Sequence, residues 1–176
     1  MSRPTVVVGK EKKEARWPPR PEAVRAGLGS VAGWAGLAFV LAGGLDFALT
    51  WYPMDFGNRE WEFGTVTASL NGLPVPTMGL ALLLFGALLL ERRWWAGVVA
   101  VAAFGLTVWV LVGAVLWITT VPLALQTVPV EVATGLKKAV VKSAFQTLIY
   151  PPVLAFLGWR AVGTIRGTIG ARRGKK

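Results

Sequence analysis

Three carboxylates between residues 52 and 72 come closest to forming a chemical site in this sequence. Asp55, Glu60 and Glu62 are close together in the chain, and Gly57 and Asn58 lie between them. Calcium prefers oxygen ligands of this kind, but the spacing fits no defined calcium-binding loop. The pattern is more typical of an Asp-Phe-Gly-Asn turn followed by a charged and aromatic rim. We therefore predict no metal site in this segment.

The chain of 176 residues contains no histidine and no cysteine. This excludes disulfides, iron–sulfur clusters on thiolates, imidazole-ligated haem, and Ser-His or Cys-His nucleophile pairs. Catalytic zinc sites draw mostly on the same two residue types and are disfavoured. A lipid-acting enzyme would have to use Asp55, Glu60 and Glu62 alone, which is a poor set for general acid–base chemistry. We expect no catalytic residues, no cofactor and no enzymatic activity.

Asp46 is the one acidic residue inside an apolar stretch of the sequence. Acids within a membrane are functional candidates by default. Asp46 follows Arg25 by 21 residues, which is about 31 Å of helix, and a bilayer core is about 30 Å thick. This distance favours a structural or interfacial role near the outer boundary. A place in a proton or substrate pathway is the alternative.

The acidic segment also carries more aromatic side chains than a hydrated linker needs. These are Tyr52, Phe56, Trp61 and Phe63, with Arg59 among them. The bilayer, the second outer segment or another protein would have to cover them. Because aromatic residues and arginine are enriched at protein interfaces, we treat this segment as a candidate interaction surface.

A second outer segment, residues 119–142, carries the opposite charge. It holds Lys137, Lys138 and Lys142 against Glu131, for a net charge of +2, whereas residues 52–72 have a net charge of −2. Lys138 and Lys142 lie one helical turn apart in a helix that we expect to begin near residue 130. The opposite charges predict that the two segments pack together as a cap.

Four long apolar runs must position all of these candidates. Only 16% of the residues are charged and the mean hydropathy is +0.55, whereas soluble domains have about 25% charged residues. A helix needs roughly 20 apolar residues to cross a bilayer core, and the runs lack the alternation of barrel strands. We predict an all-α polytopic membrane protein with a short outer cap. Its four transmembrane helices are expected at about 27–51, 73–91, 94–118 and 140–162.

The distribution of basic residues predicts how the chain is oriented. Of the 19 lysines and arginines, 15 fall in the two tails or the turn at 91–93, and four fall on the other side. The positive-inside rule then places both termini in the cytoplasm, with the chain in a plasma or inner membrane. We divide the chain into a disordered basic tail (1–25), a transmembrane domain (26–165) and a second basic tail (166–176).

The basic residues also bear on the partners of the chain. They are concentrated in tails and short connections, where they face anionic lipid. A nucleic-acid-binding protein would spread them over a folded face, so we expect no nucleic-acid partner. Small residues recur in the first span as Gly29-xxx-Gly33 and Ala32-xxx-Gly36. Such patterns serve either packing within the chain or contact with a neighbouring subunit.

Two functions remain open at this level. The spans carry almost no ionisable groups and the outer segments are aromatic, which favours a structural or accessory subunit of a membrane protein complex. Its partners would be other membrane protein subunits or further copies of itself. The alternative is a small oligomeric channel or transporter. Its lining candidates are Asp46, Thr50, Gln146 and Tyr150.

Overall fold

The computed structural model describes residues 21–127 and 130–173, and this part of the chain forms five α-helices without a strand. The helices are α1 (Pro21–Thr50), α2 (Arg59–Gly72), α3 (Pro74–Leu90), α4 (Arg93–Thr127) and α5 (Val130–Arg173). The expected disorder of residues 1–20 lies outside the described residues. α1 begins at Pro21, inside the expected tail, because proline suits the first helical position.

Four spans are long and apolar enough to cross a membrane, which confirms the predicted fold class. They are Pro21–Thr50, Glu60–Leu90, Arg93–Pro122 and Thr134–Arg166. Apolar side chains such as Leu41, Val101 and Leu148 are exposed on the outside of the bundle. Exposed apolar side chains on this scale suit a lipid environment and not water.

The second of these spans consists of two helices, α2 and α3, in place of one. Pro74 and Pro76 lack the backbone N–H that a continuous helix would use, and α3 begins at the first of them. The predicted span at 73–91 corresponds to α3. Residues 59–72, which we expected in an outer segment, form a helix that packs against α1, α4 and α5.

The backbones of α1 and α3 approach each other closely along an antiparallel seam. A Cβ atom at Gly36 would lie 2.6 Å from the carbonyl oxygen of Gly79, and one at Gly86 would lie 2.8 Å from the carbonyl oxygen of Gly29. Only glycine fits such an approach. The small residues of α1 therefore serve packing within the chain, which decides between the two roles predicted for them.

Both ends of the described chain lie at the same end of the bundle, the tail end. There the guanidinium of Arg25 on α1 pairs at 3.3 Å with Glu91, which lies in the tight turn between α3 and α4. α5 returns along α4, with Gly158 against the ring of Phe104. The opposite end, here called the far end, holds the connection between α1 and α2.

Candidate functional site

The connection between α1 and α2 is held in one conformation by its own side chains. The Asn58 side-chain oxygen accepts hydrogen bonds from the backbone N–H groups of Glu60 and Trp61 at 3.1 and 3.2 Å. The Asn58 side-chain amide donates to Asp55 at 2.8 Å, and the Gly57 N–H donates to Glu62 at 3.0 Å. The carboxylates of Asp55 and Glu62 thus stabilise the turn.

Trp51 organises the aromatic side chains at the far end. Its ring centroid lies 5.8 Å from that of Trp61 and 6.4 Å from that of Phe56. Its indole N–H donates to the buried hydroxyl of Ser69 at 2.9 Å, which ties the end of α1 to α2. The contact between Trp51 and Trp61 is edge to face, and such a contact adds about 0.5–1.5 kcal/mol beyond burial. The aromatic segment is therefore partly covered by the protein itself.

Three apolar side chains of this connection remain uncovered. Tyr52 is 78% exposed, and Met54 and Phe56 are each 67% exposed. We call these three residues the rim patch. Phe63, by contrast, is half-buried and packs against the core. The structure thus divides the predicted aromatic surface into a buried part and an exposed part.

The remaining acidic and basic candidates do not form one cluster. Glu60 is exposed, and Glu62 borders a small crevice of about 140 Å³ between α2 and α4. α2 begins at Arg59, whose side chain lies outside the described part of the structure. In residues 21–127 and 130–173, no group of three or more acidic residues is placed to hold a metal ion.

Lys138 and Lys142 lie on an exposed face of α5, beside Val141 and Phe145. Among the described residues, neither lysine pairs with an acid of the first outer segment. The expected attraction of opposite charges therefore does not join the two segments there. α2 and α5 do contact each other, but the buried face of α5 carries Ser143 and Gln146 in place of lysines.

Asp46 borders a cleft between α1 and α4. No Cα atom of α1 lies within 8 Å of one in α4, and the space between them forms a cavity of about 340 Å³. Gly72 and Pro76, at the junction of α2 and α3, form its floor. A Cβ atom on Gly72 would lie 3.2 Å from Oδ2 of Asp46. The carboxylate thus lies close to Gly72 at the junction of α2 and α3.

The aromatic rings of Phe47 and Trp109 also line this cleft. The ring centroids of Phe47 and Trp109 are 4.7 Å apart, with the rings nearly perpendicular, and Trp51 also contacts Trp109 at 6.3 Å. These rings link α1 to α4 where their backbones do not meet. The sequence does not predict this contact of Trp109, because one side chain in an apolar run does not reveal which helix it faces.

Several side chains on α2 and α5 carry buried polar atoms, and only Gln146 among them was predicted from the sequence, as a lining candidate. On α2 these are the side-chain oxygens of Thr67 and Asn71, and on α5 those of Ser143, Gln146 and Thr147. None of them has a hydrogen-bond partner among the described residues. On each of the two helices, the later of these polar residues follow the first at intervals of three or four positions. This spacing puts them on one face of the helix and is the signal that could have marked a polar face.

The predicted channel lining is not brought together around one cavity. Asp46 borders the cleft between α1 and α4, whereas Gln146 and Tyr150 on α5 are not among the residues that line it. Thr50 donates its hydroxyl to the backbone carbonyl of Asp46 at 2.8 Å. The four side chains therefore do not mark a single path through the described part of the chain.

Comparison of the chain with protein-family models, with curated proteins and with solved structures finds no match.

Proposed function

We propose that this chain is a non-enzymatic integral membrane protein that works as a structural or accessory subunit of a membrane protein complex. The single observation that carries the proposal is the rim patch of Tyr52, Met54 and Phe56. It is an exposed apolar surface on a connection between helices, and exposed apolar patches mark interaction sites.

The rigidity of the connection supports this role. Asn58 caps α2 and bonds to Asp55, and Gly57 bonds to Glu62, so the backbone on both sides of Phe56 is held in place. A pre-ordered surface binds at a lower entropic cost than a mobile loop. Aromatic side chains and methionine are also enriched in the central part of protein interfaces.

The position of the patch indicates the class of partner. Along α1, Asp46 lies about 31 Å from Arg25 at 1.5 Å per residue, close to the thickness of a bilayer core. Tyr52 follows six residues later, so the patch lies at the far membrane boundary. The partner surface we expect is therefore the far-side boundary of another integral membrane subunit. The exposed Asp55 and Glu60 beside the patch favour a basic rim on that partner.

The test is the native mass of the chain after extraction from its own membrane in mild detergent. A fixed mass well above 18.9 kDa supports the proposal, and a whole multiple of that mass identifies further copies of the chain as the partner. A double variant, Tyr52→Ser with Met54→Ser, should release the chain as a monomer. A monomer from the unchanged protein would contradict the proposal.

A comparison variant separates this surface from the other exposed candidate. Val141→Ser with Phe145→Ser alters the face of α5 beside Lys138 and Lys142, where both apolar side chains are more than 60% exposed. We expect this variant to keep the full native mass. Loss of mass in this variant alone would assign assembly to α5 and refute the role of the rim patch.

A further inference from the structure

We infer that the cleft between α1 and α4 is a binding site for a lipophilic organic ammonium ion. Its volume of about 340 Å³ falls at the lower end of the range for small-molecule sites, about 300–1,000 Å³. This site is separate from the rim patch and does not depend on the proposed role as a subunit.

The cleft exists because specific residues keep α1 and α4 apart. α1 is drawn to α3, where Gly43 lies against Pro76 with no room for a Cβ atom. Gly44 on α1 and Gly105 on α4 border the cleft, and a Cβ atom on either would meet nothing within 4 Å. Because both of these residues are glycines, the space between the two helices is wide enough for a ligand there.

The charge of the cleft selects a cation. Asp46 is the one ionisable residue that lines it. Within the described part of the chain, the Asp46 carboxylate has no hydrogen bond or ion pair to another side chain. An unpaired carboxylate at the border of an apolar cleft attracts a positive charge. An ammonium ion in the cleft would supply that charge.

The walls favour an organic cation over a metal ion. Phe47 and Trp109 line the same cleft as Asp46, and ring faces attract ammonium groups by cation–π interaction. The rest of the lining is almost entirely apolar and includes Leu73 and Leu106. A metal ion needs several oxygen ligands, whereas an alkylammonium ion needs one carboxylate and an apolar surface.

The opening of the cleft gives such a ligand a route from the bilayer. Gly44, Asp46 and Gly105 are all exposed at its edge, so the cleft faces the surroundings of the bundle between α1 and α4. The ammonium group could belong to a lipid headgroup or to a free lipophilic amine. Both sources present the same chemistry to Asp46 and the aromatic rings.

The direct test is calorimetric titration of the full chain, in maltoside micelles, with 4-phenylbutyltrimethylammonium. We expect one ion bound per chain and at least a tenfold loss of affinity in Asp46→Asn. The neutral analogue with a tert-butyl group in place of trimethylammonium should bind weakly and equally to both proteins. Equal affinity of the ammonium ion for wild type and Asp46→Asn, or no binding to the wild type, would overturn the inference.

A second pair of variants tests the location without changing any charge. Gly105→Leu fills the cleft and should abolish binding, whereas Gly97→Leu makes the same change two turns away on α4. A Cβ atom at either position meets nothing within 4 Å, so both variants should fold. If Gly105→Leu bound the probe as well as Gly97→Leu did, the site would lie elsewhere and the inference would be wrong.

Competition by lipids then identifies the source of the ligand. Phosphatidylcholine carries a quaternary ammonium group, whereas phosphatidylglycerol carries none. Displacement of the probe by phosphatidylcholine alone would identify a lipid headgroup as the occupant. No displacement by either lipid would identify a free lipophilic cation. Equal displacement by both lipids would show that the charge of the headgroup does not matter and would count against the inference.

Discussion

Gly36→Ala is the most direct test of how α1 and α3 pack. The added Cβ atom would lie 2.6 Å from both the Gly79 carbonyl oxygen and the Leu83 backbone nitrogen. Ordinary contact begins at about 3.4 Å, so the two helices would have to separate by about 0.8 Å. Backbone atoms cannot rotate away as the end of a flexible side chain can, and the whole seam must therefore shift.

The expected magnitude follows from two opposing terms. Overpacking a tight interface costs about 1–3 kcal/mol, whereas alanine is better than glycine in a helix by about 1 kcal/mol. The net destabilisation by Gly36→Ala is then about 0–2 kcal/mol. Gly44→Ala in the same helix should stabilise the protein by about 1 kcal/mol through the higher helix propensity of alanine. It causes no clash, because its Cβ atom meets nothing within 4 Å. The two variants should differ by about 1–3 kcal/mol.

The assay is reversible unfolding in mixed maltoside and dodecyl sulfate micelles, followed by far-ultraviolet circular dichroism. Gly36→Ala should unfold at a lower fraction of dodecyl sulfate than the wild type, and Gly44→Ala at a higher one. Equal midpoints for the two variants would show that α1 does not contact α3 at Gly36. The antiparallel seam would then be refuted, together with the assignment of the small residues to packing within the chain.

Four further outcomes are expected. Asn58→Ala should destabilise the protein by about 1 kcal/mol, because it removes the cap of α2, and this can be measured in the same unfolding assay. Ser69→Ala should cost about 1–3 kcal/mol by leaving the Trp51 indole N–H without its acceptor, and should change the near-ultraviolet dichroism. Glu91→Gly should be about 1 kcal/mol more stable than Glu91→Gln, because residue 91 has a φ of 54°. A single cysteine placed in either tail should react with an impermeant reagent only from the cytoplasmic side.

Each of these outcomes has a control in the chain itself. Asn58→Asp keeps a capping oxygen and should retain most of the stability that Asn58→Ala loses. Glu91→Gln removes the exposed pair with Arg25 and keeps the Cβ atom, so its difference from Glu91→Gly isolates the backbone. The chain contains no native cysteine, so labelling reports only the introduced residue. Labelling of the two tails from opposite sides would refute the predicted orientation.

The four spans could be predicted from the sequence because partition into lipid is decided segment by segment. Each apolar run has enough residues to cross a bilayer by itself, whatever its neighbours are. The predicted span at 73–91 therefore coincides with α3, and the spans at 27–51 and 94–118 fall within or almost within α1 and α4. The turn around Gly57 and Asn58 was also predicted, because these residue types favour turns by local chemistry.

The assignment of residues 59–72 shows where such local reasoning stops. This segment is predicted as part of the first outer segment, and it holds the polar residues Thr65, Thr67, Ser69 and Asn71. The structure makes it a largely buried helix against α1, α4 and α5. Burial of these polar side chains depends on which faces of three other helices lie nearby, and no count of hydropathy along the chain contains that information.

The amino-acid sequence alone determined that the chain is helical, that four of its spans are long and apolar enough to cross a membrane, and that it contains no histidine and no cysteine. Tertiary structure decided which faces meet. It joined Gly36 to Gly79, placed Trp109 against Phe47, and left Asp46 beside an open cleft and not beside Lys138 or Lys142. The physical reason is that the free energy of transferring a segment into lipid is a sum over the residues of that segment alone. Packing, in contrast, depends on distances between segments that are far apart in the chain.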